Sequence, residues 1–112
     1  MPELTIEIQT NDRTLSMPFQ DSTKRNQEVM PGLVYQGLIV RKGGDALSDA
    51  LRFVVDTAIN VEWGLLAAYL YEKVKGRPET QVVIRRRVVE TVTPEGIRRV
   101  IEEEIRGPYN RD

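Results

Sequence analysis

The chain has 112 residues, 40% of them hydrophobic and 29% charged, with 16 Lys and Arg against 17 Asp and Glu for a net charge of -1. That is the size and balance of one globular domain, and it excludes any general attraction to nucleic acid or anionic lipid. Cysteine and histidine are both absent, which removes disulfides, thiolate catalysis, Cys- or His-based metal sites and imidazole acid-base chemistry.

The amino terminus has no basic flank followed by an apolar run, and no uncharged stretch approaches the ~20 residues that span a bilayer. A cytoplasmic chain without a membrane partner is expected. Leu4, Ile6 and Ile8 alternate with Thr5, Glu7 and Gln9, and after Asn11 and Asp12 the alternation resumes at Leu15, Met17 and Phe19. The pattern predicts a β-hairpin whose second strand, carrying Pro18, lies at an edge. Gln20 to Gly32 is polar and ends in Pro31-Gly32, which predicts a loop. Leu33 to Val40 is apolar on both alternating faces, as in a strand that is central or covered on both sides.

The Lys42-Gly43-Gly44 sequence breaks that strand, and Asp45 or Ser48 is placed to cap a helix. From Asp45 to Lys75 the residues read as one long helix. Asp45, Asp49, Arg52, Asp56 and Asn60 mark its polar stripe, and Leu47, Leu51, Val54, Ala58 and Val61 its apolar one. Such a helix would extend about 46 Å, whereas a domain of this length is roughly 35 Å across. It must break near Gly64 or project into a partner, and Gly76 with Pro78 ends it. Gln81 to Val92 is a β-branched strand interrupted by Arg85, Arg86 and Arg87. Thr93-Pro94-Glu95 is a helix start, and the last helix runs to about Arg106 with Ile97, Val100, Ile101 and Ile105 as its apolar stripe.

The expected fold is therefore α+β, or small α/β. A three- to four-stranded sheet in the order β-β-β-α-β-α carries one long helix and a C-terminal helix on one face, and a strand-helix-strand unit spans Leu33 to Val92. Residues 1 to 107 form the expected single domain, and 108 to 112 a short polar tail.

The candidate sites follow from these elements. Trp63 to Tyr71 contains no charge, so that half of the helix is apolar all round and needs cover on most sides. A protein-protein or self-association surface is expected there, carried by Trp63, Leu66, Tyr69, Leu70 and Tyr71, with Gly64, Ala67 and Ala68 small enough to admit a second helix. A homodimer is the simplest form. Arg85, Arg87, Arg98 and Arg99 suggest a nucleic-acid patch as an alternative, opposed by Glu90, Glu95, Glu102, Glu103 and Glu104 nearby and by the lack of aromatic residues for stacking. The Lys42-Gly43-Gly44 turn matches no phosphate-binding motif, and Asp45 and Asp49 put negative charge where a phosphate would sit, so a structural turn with aspartate capping is expected. Asp45, Asp49 and Asp56 share one helical face with Arg52 between them, as on a solvated surface rather than at a metal or acid-base site. A third alternative is a small-ligand or catalytic pocket between the Gln20 to Gly32 loop and the start of the long helix. No cofactor and no metal are expected, and without a catalytic motif the chain reads as non-enzymatic.

Overall fold

A computed structural model describes residues 3–19, 25–40, 49–57 and 61–106. The chain folds as a mixed α+β structure built on a six-stranded antiparallel sheet with the order β2-β3-β4-β1-β5-β6. The strands are β1 (Glu3–Thr10), β2 (Gln27–Met30), β3 (Leu33–Val40), β4 (Asp49–Asp56), β5 (Thr80–Ile84) and β6 (Arg87–Val88). The helices are α1 (Arg13–Ser16), α2 (Trp63–Val74) and α3 (Pro94–Arg106), with a 3-10 turn at Met17–Phe19. Strands β1 and β3 and helix α3 lie where the sequence puts them.

The main departure from expectation is β4. Asp49 to Asp56 is not the first half of a long helix but a central strand, paired with β1 on one side and β3 on the other. Leu51, Phe53 and Val55 alternate into the core while Arg52 and Val54 face the opposite way. The Asp49, Arg52 and Asp56 spacing fits a helical period, yet Phe53, Val54 and Val55 suit a pleated surface, and the two flanking strands resolve the conflict. Among the described residues of this region, only Trp63–Val74 is helical. Twelve residues extend about 18 Å and stay within the 40 × 29 × 23 Å molecule, so the overhang disappears. Lys75 ends α2, and Gly76 follows at φ +72°, a conformation that glycine adopts without a Cβ clash.

The expected hairpin after β1 does not form either. Asp12 accepts hydrogen bonds from the Thr14 amide at 2.9 Å and the Thr14 hydroxyl at 2.6 Å, which starts the α1 turn and tucks Leu15 into the core. β1 pairs instead with β4 and β5. Part of the expected polar loop is strand β2, paired with β3. The Gln81 to Val92 strand is two strands, because Arg85 and Arg86 adopt φ of +49° and +71° and reverse the chain in two residues. The reversal sets Val88 opposite Val83, so Val88 lies on the face that simple alternation denies it. Strands β3 and β5 are antiparallel and not neighbours. The helical crossover joins β4 to β5, which run in the same direction on either side of β1.

One face of the sheet carries the core. Leu4, Ile6, Ile8, Leu33, Tyr35, Leu51, Phe53, Val55, Val82 and Ile84 pack against Leu66, Ala67, Leu70 and Val74 of α2 and Ile97, Val100 and Ile101 of α3. Phe53 joins two aromatic neighbours, with its ring centroid 5.5 Å from Tyr35 and 6.5 Å from Tyr69. The start of α3 matches its sequence signal, since the Thr93 hydroxyl accepts the Gly96 amide at 3.0 Å. The Lys42-Gly43-Gly44 turn, the Asp45 and Ser48 caps, residues 20–24 of the polar loop and the 108–112 tail lie outside the described residues.

Candidate interaction surface

The second face of the sheet bears no helix among the described residues. Because side chains alternate along each strand, registration with the core face leaves Thr5, Glu7 and Gln9 of β1, Arg52 and Val54 of β4, and Val83 of β5 on this side. A polar chain runs across three strands here. Gln81 Nε2 donates to Gln9 Oε1 at 2.7 Å, Gln9 Nε2 to Glu7 Oε1 at 3.0 Å, and Arg52 reaches Glu7 Oε2 through Nη2 at 2.8 Å and Nε at 3.2 Å. These bonds fix Arg52 and Glu7 side by side across the β1–β4 pair.

Between this chain and the β5–β6 turn lies a groove of about 560 Å³. Val83 and Val88 form its apolar floor, the latter 45% exposed, and Arg85 and Arg86 close one end. Three guanidiniums line the groove against one carboxylate. Arg52 is neutralised by Glu7. Among the described residues, the Arg85 side chain donates to backbone oxygens, those of Glu104 at 3.2 Å and Glu3 at 3.4 Å, which helps to satisfy the carboxyl end of α3 without pairing the charge with a carboxylate. Arg86 is exposed and has no partner among the described residues.

Leu66 and Leu70 are fully buried against the sheet within the single chain. Trp63, Tyr69 and Tyr71 are half-buried beside the same core. The helix that approaches Gly64 is α3 of this chain, whose Arg98 Nη1 would lie 3.9 Å from a Cβ at that glycine. The exposed apolar residue of α2 is Leu65, at 63%, a position the sequence did not single out. Burial pushes the Tyr69 phenol above its ordinary 10.0, and Lys73 Nζ sits 5.3 Å from the Tyr69 ring centroid.

The four arginines of the alternative patch are not brought together as a free cluster. Arg87 pairs with Glu103 at 2.6 Å and Glu104 at 3.7 Å, Arg98 with Glu102 at 3.1 Å, and Arg85 is held by the two carbonyls. Arg99 is exposed, with no partner among the described residues. Of the three aspartates once aligned on a helix, Asp49 and Asp56 stand at opposite ends of β4, and no group of three or more metal-ligating side chains exists among the described residues. The expected ligand pocket was placed beside the start of a long helix, and Asp49 there begins strand β4 instead; residues 20–24 and 41–48 lie outside the described residues. No helix among the described residues is long and apolar enough to cross a membrane.

At the far end of the sheet, Asp12 also holds Arg77 Nη1 at 2.7 Å. The Thr14 hydroxyl first, and the Arg77 guanidinium next, lower the Asp12 carboxyl below its ordinary 3.8. A carboxyl lowered in the folded state stabilises above its unfolded value, and that contribution disappears as pH falls through the folded one. Asp12→Asn should therefore shift the urea midpoint downward at pH 7, with a gap to the parent chain that narrows as pH falls below 3.8 and the parent carboxyl becomes neutral. A gap that stays constant with pH would contradict this account.

No known family model, curated protein or solved structure matches the chain.

Proposed function

We propose that this chain is a non-enzymatic protein-interaction module that receives its partner on the face of the sheet that no described helix covers. The observation that carries the reading is the groove between the Glu7–Arg52 pair and the β5–β6 turn, with its valine floor and fixed polar rim. A sheet with helices on one side and an accessible mixed surface on the other has the composition of a docking face. Glu7 is held in an ion pair with Arg52, and among the described residues the groove offers no second carboxyl with which it could divide acid and base roles. Association through α2 remains the competing surface within the same function. Leu66 and Leu70 are occupied by the core, so that version rests on Leu65 and the accessible parts of Trp63, Tyr69 and Tyr71. A cytoplasmic setting belongs to the same proposal.

Photo-cross-linking in the producing cells separates the two surfaces. A photoreactive residue replaces Val88 in one variant and Leu65 in another, both exposed positions. A discrete protein adduct from position 88 alone is the expected result. An adduct from 65 alone moves the contact to the helix layer, chain-to-chain adducts identify the partner as a second copy, and no adduct from either position refutes the function.

A further inference from the structure

We infer that the groove recognises an extended acidic peptide, with an apolar side chain on Val83 and Val88 and a carboxylate at Arg86. The inference rests on the sheet-face reading above and specifies the partner's chemistry. Charge gives the first reason. Three guanidiniums line the groove against one carboxylate, and the single Glu7 is already held by Arg52, so the positive charge of Arg85 and Arg86 remains for an incoming anion.

Backbone conformation points the same way. A two-residue reversal with positive φ at both positions favours Asn-Gly, whereas here both residues are arginine, at φ +49° and +71°. Glycine would suit the turn better, so folding does not explain Arg86, whose side chain has no partner among the described residues.

The sheet edge explains why the ligand is extended. Val89 donates its amide to the Val82 oxygen at 2.9 Å, which makes Val82 and Val89 a hydrogen-bonded pair. The neighbouring pair, Val83 and Val88, then turns its backbone groups outward by the alternation of antiparallel ladders. For Val88, on the outermost strand, outward means the open edge. A peptide strand laid beside it gains backbone hydrogen bonds to Val88, and its residues two apart stand on the same side of the sheet as Val88 and Val83, at the outer rim of the groove. The recognised pattern is an apolar residue with an acidic residue two positions away. A polyphosphate strand is disfavoured because Glu7 lies in the groove and no aromatic residue lines it for base stacking.

The test is fluorescence anisotropy of the full chain with three labelled probes. The first is a peptide repeating Val-Thr-Glu-Thr, the second has lysine in place of glutamate, and the third is a single-stranded oligonucleotide of equal negative charge. The acidic peptide should bind at least tenfold more tightly than either of the others and weaken as salt rises. Arg86→Gly should reduce that binding at least tenfold while leaving the thermal midpoint unchanged or higher. Equal binding of the two peptides overturns the acidic specificity but leaves the sheet-face reading in place, as does a failure of both peptides alongside a cross-link from position 88. Tighter binding of the oligonucleotide overturns the inference in favour of nucleic acid. Unchanged binding by the Arg86→Gly variant removes the site from the turn.

Discussion

Leu70→Ala is expected to lower the unfolding free energy of the isolated chain by about 2–5 kcal/mol, the usual cost of a cavity at a fully buried leucine. Leu70 is completely buried, on the α2 face that enters the core with Leu66, Ala67 and Val74. Leu70→Glu places a carboxylate in that space and should prevent folding. Urea denaturation of the alanine variant, with circular dichroism of the glutamate variant, distinguishes core from contact surface. A glutamate variant that folds with parental spectra and changes only its solution mass would assign Leu70 to a partner and contradict the packing described above.

The second large effect is at Gly96. A Cβ added there would lie 2.0 Å from the Thr91 carbonyl oxygen and 3.2 Å from the Thr91 Cβ. Backbone cannot swing aside as a flexible side chain can. The Thr91–Thr93 turn, closed by the Thr93 amide on the Thr91 oxygen at 3.0 Å, must shift together with the first turn of α3. Gly96→Ala should therefore cost about 1–3 kcal/mol, as overpacking does elsewhere. Gly64→Ala supplies the contrast. Its added methyl meets only the Glu62 carboxylate at 3.5 Å and the Arg98 guanidinium at 3.9 Å, both ordinary contacts, so replacing a helical glycine should stabilise by about 0.5–1 kcal/mol. Opposite signs in parallel thermal melts are the expected outcome. Two variants that change stability in the same direction would contradict the close approach of Thr91.

The legible parts of the fold are those with strong local signals. Alternation marks β1, two-sided apolarity marks β3, and the Thr93-Pro94-Glu95 start marks α3. β4 was not legible because its eight residues satisfy two periods at once, with Asp49, Arg52 and Asp56 on a helical stripe and Leu51, Phe53 and Val55 on a strand face. In the same way, Asn11 and Asp12 suit a reversal or a helix start equally, until Asp12 takes the Thr14 amide. The residues of the expected site all lie on α2, but the long helix read from the sequence joins α2 to what is strand β4. Leu66 and Leu70 looked surplus because β4 was missing from the sheet that covers them. The groove had no local signature, since it joins Thr5, Arg52 and the Val83 to Arg86 hairpin from three separate stretches of chain.

By itself the sequence determined the exclusions, the two outer caps of order at β1 and α3, and the presence of an apolar segment at Trp63 to Tyr71 that needs cover. Those properties depend on residue chemistry and on neighbours three or four positions away. Tertiary structure alone decided that β4 is a strand, that the sheet and α3 supply the cover, and that Arg85 and Arg86 end a groove on the opposite face. Each of these depends on pairing between distant segments, where burial and ladder hydrogen bonds outweigh a local preference worth only tenths of a kcal/mol per residue.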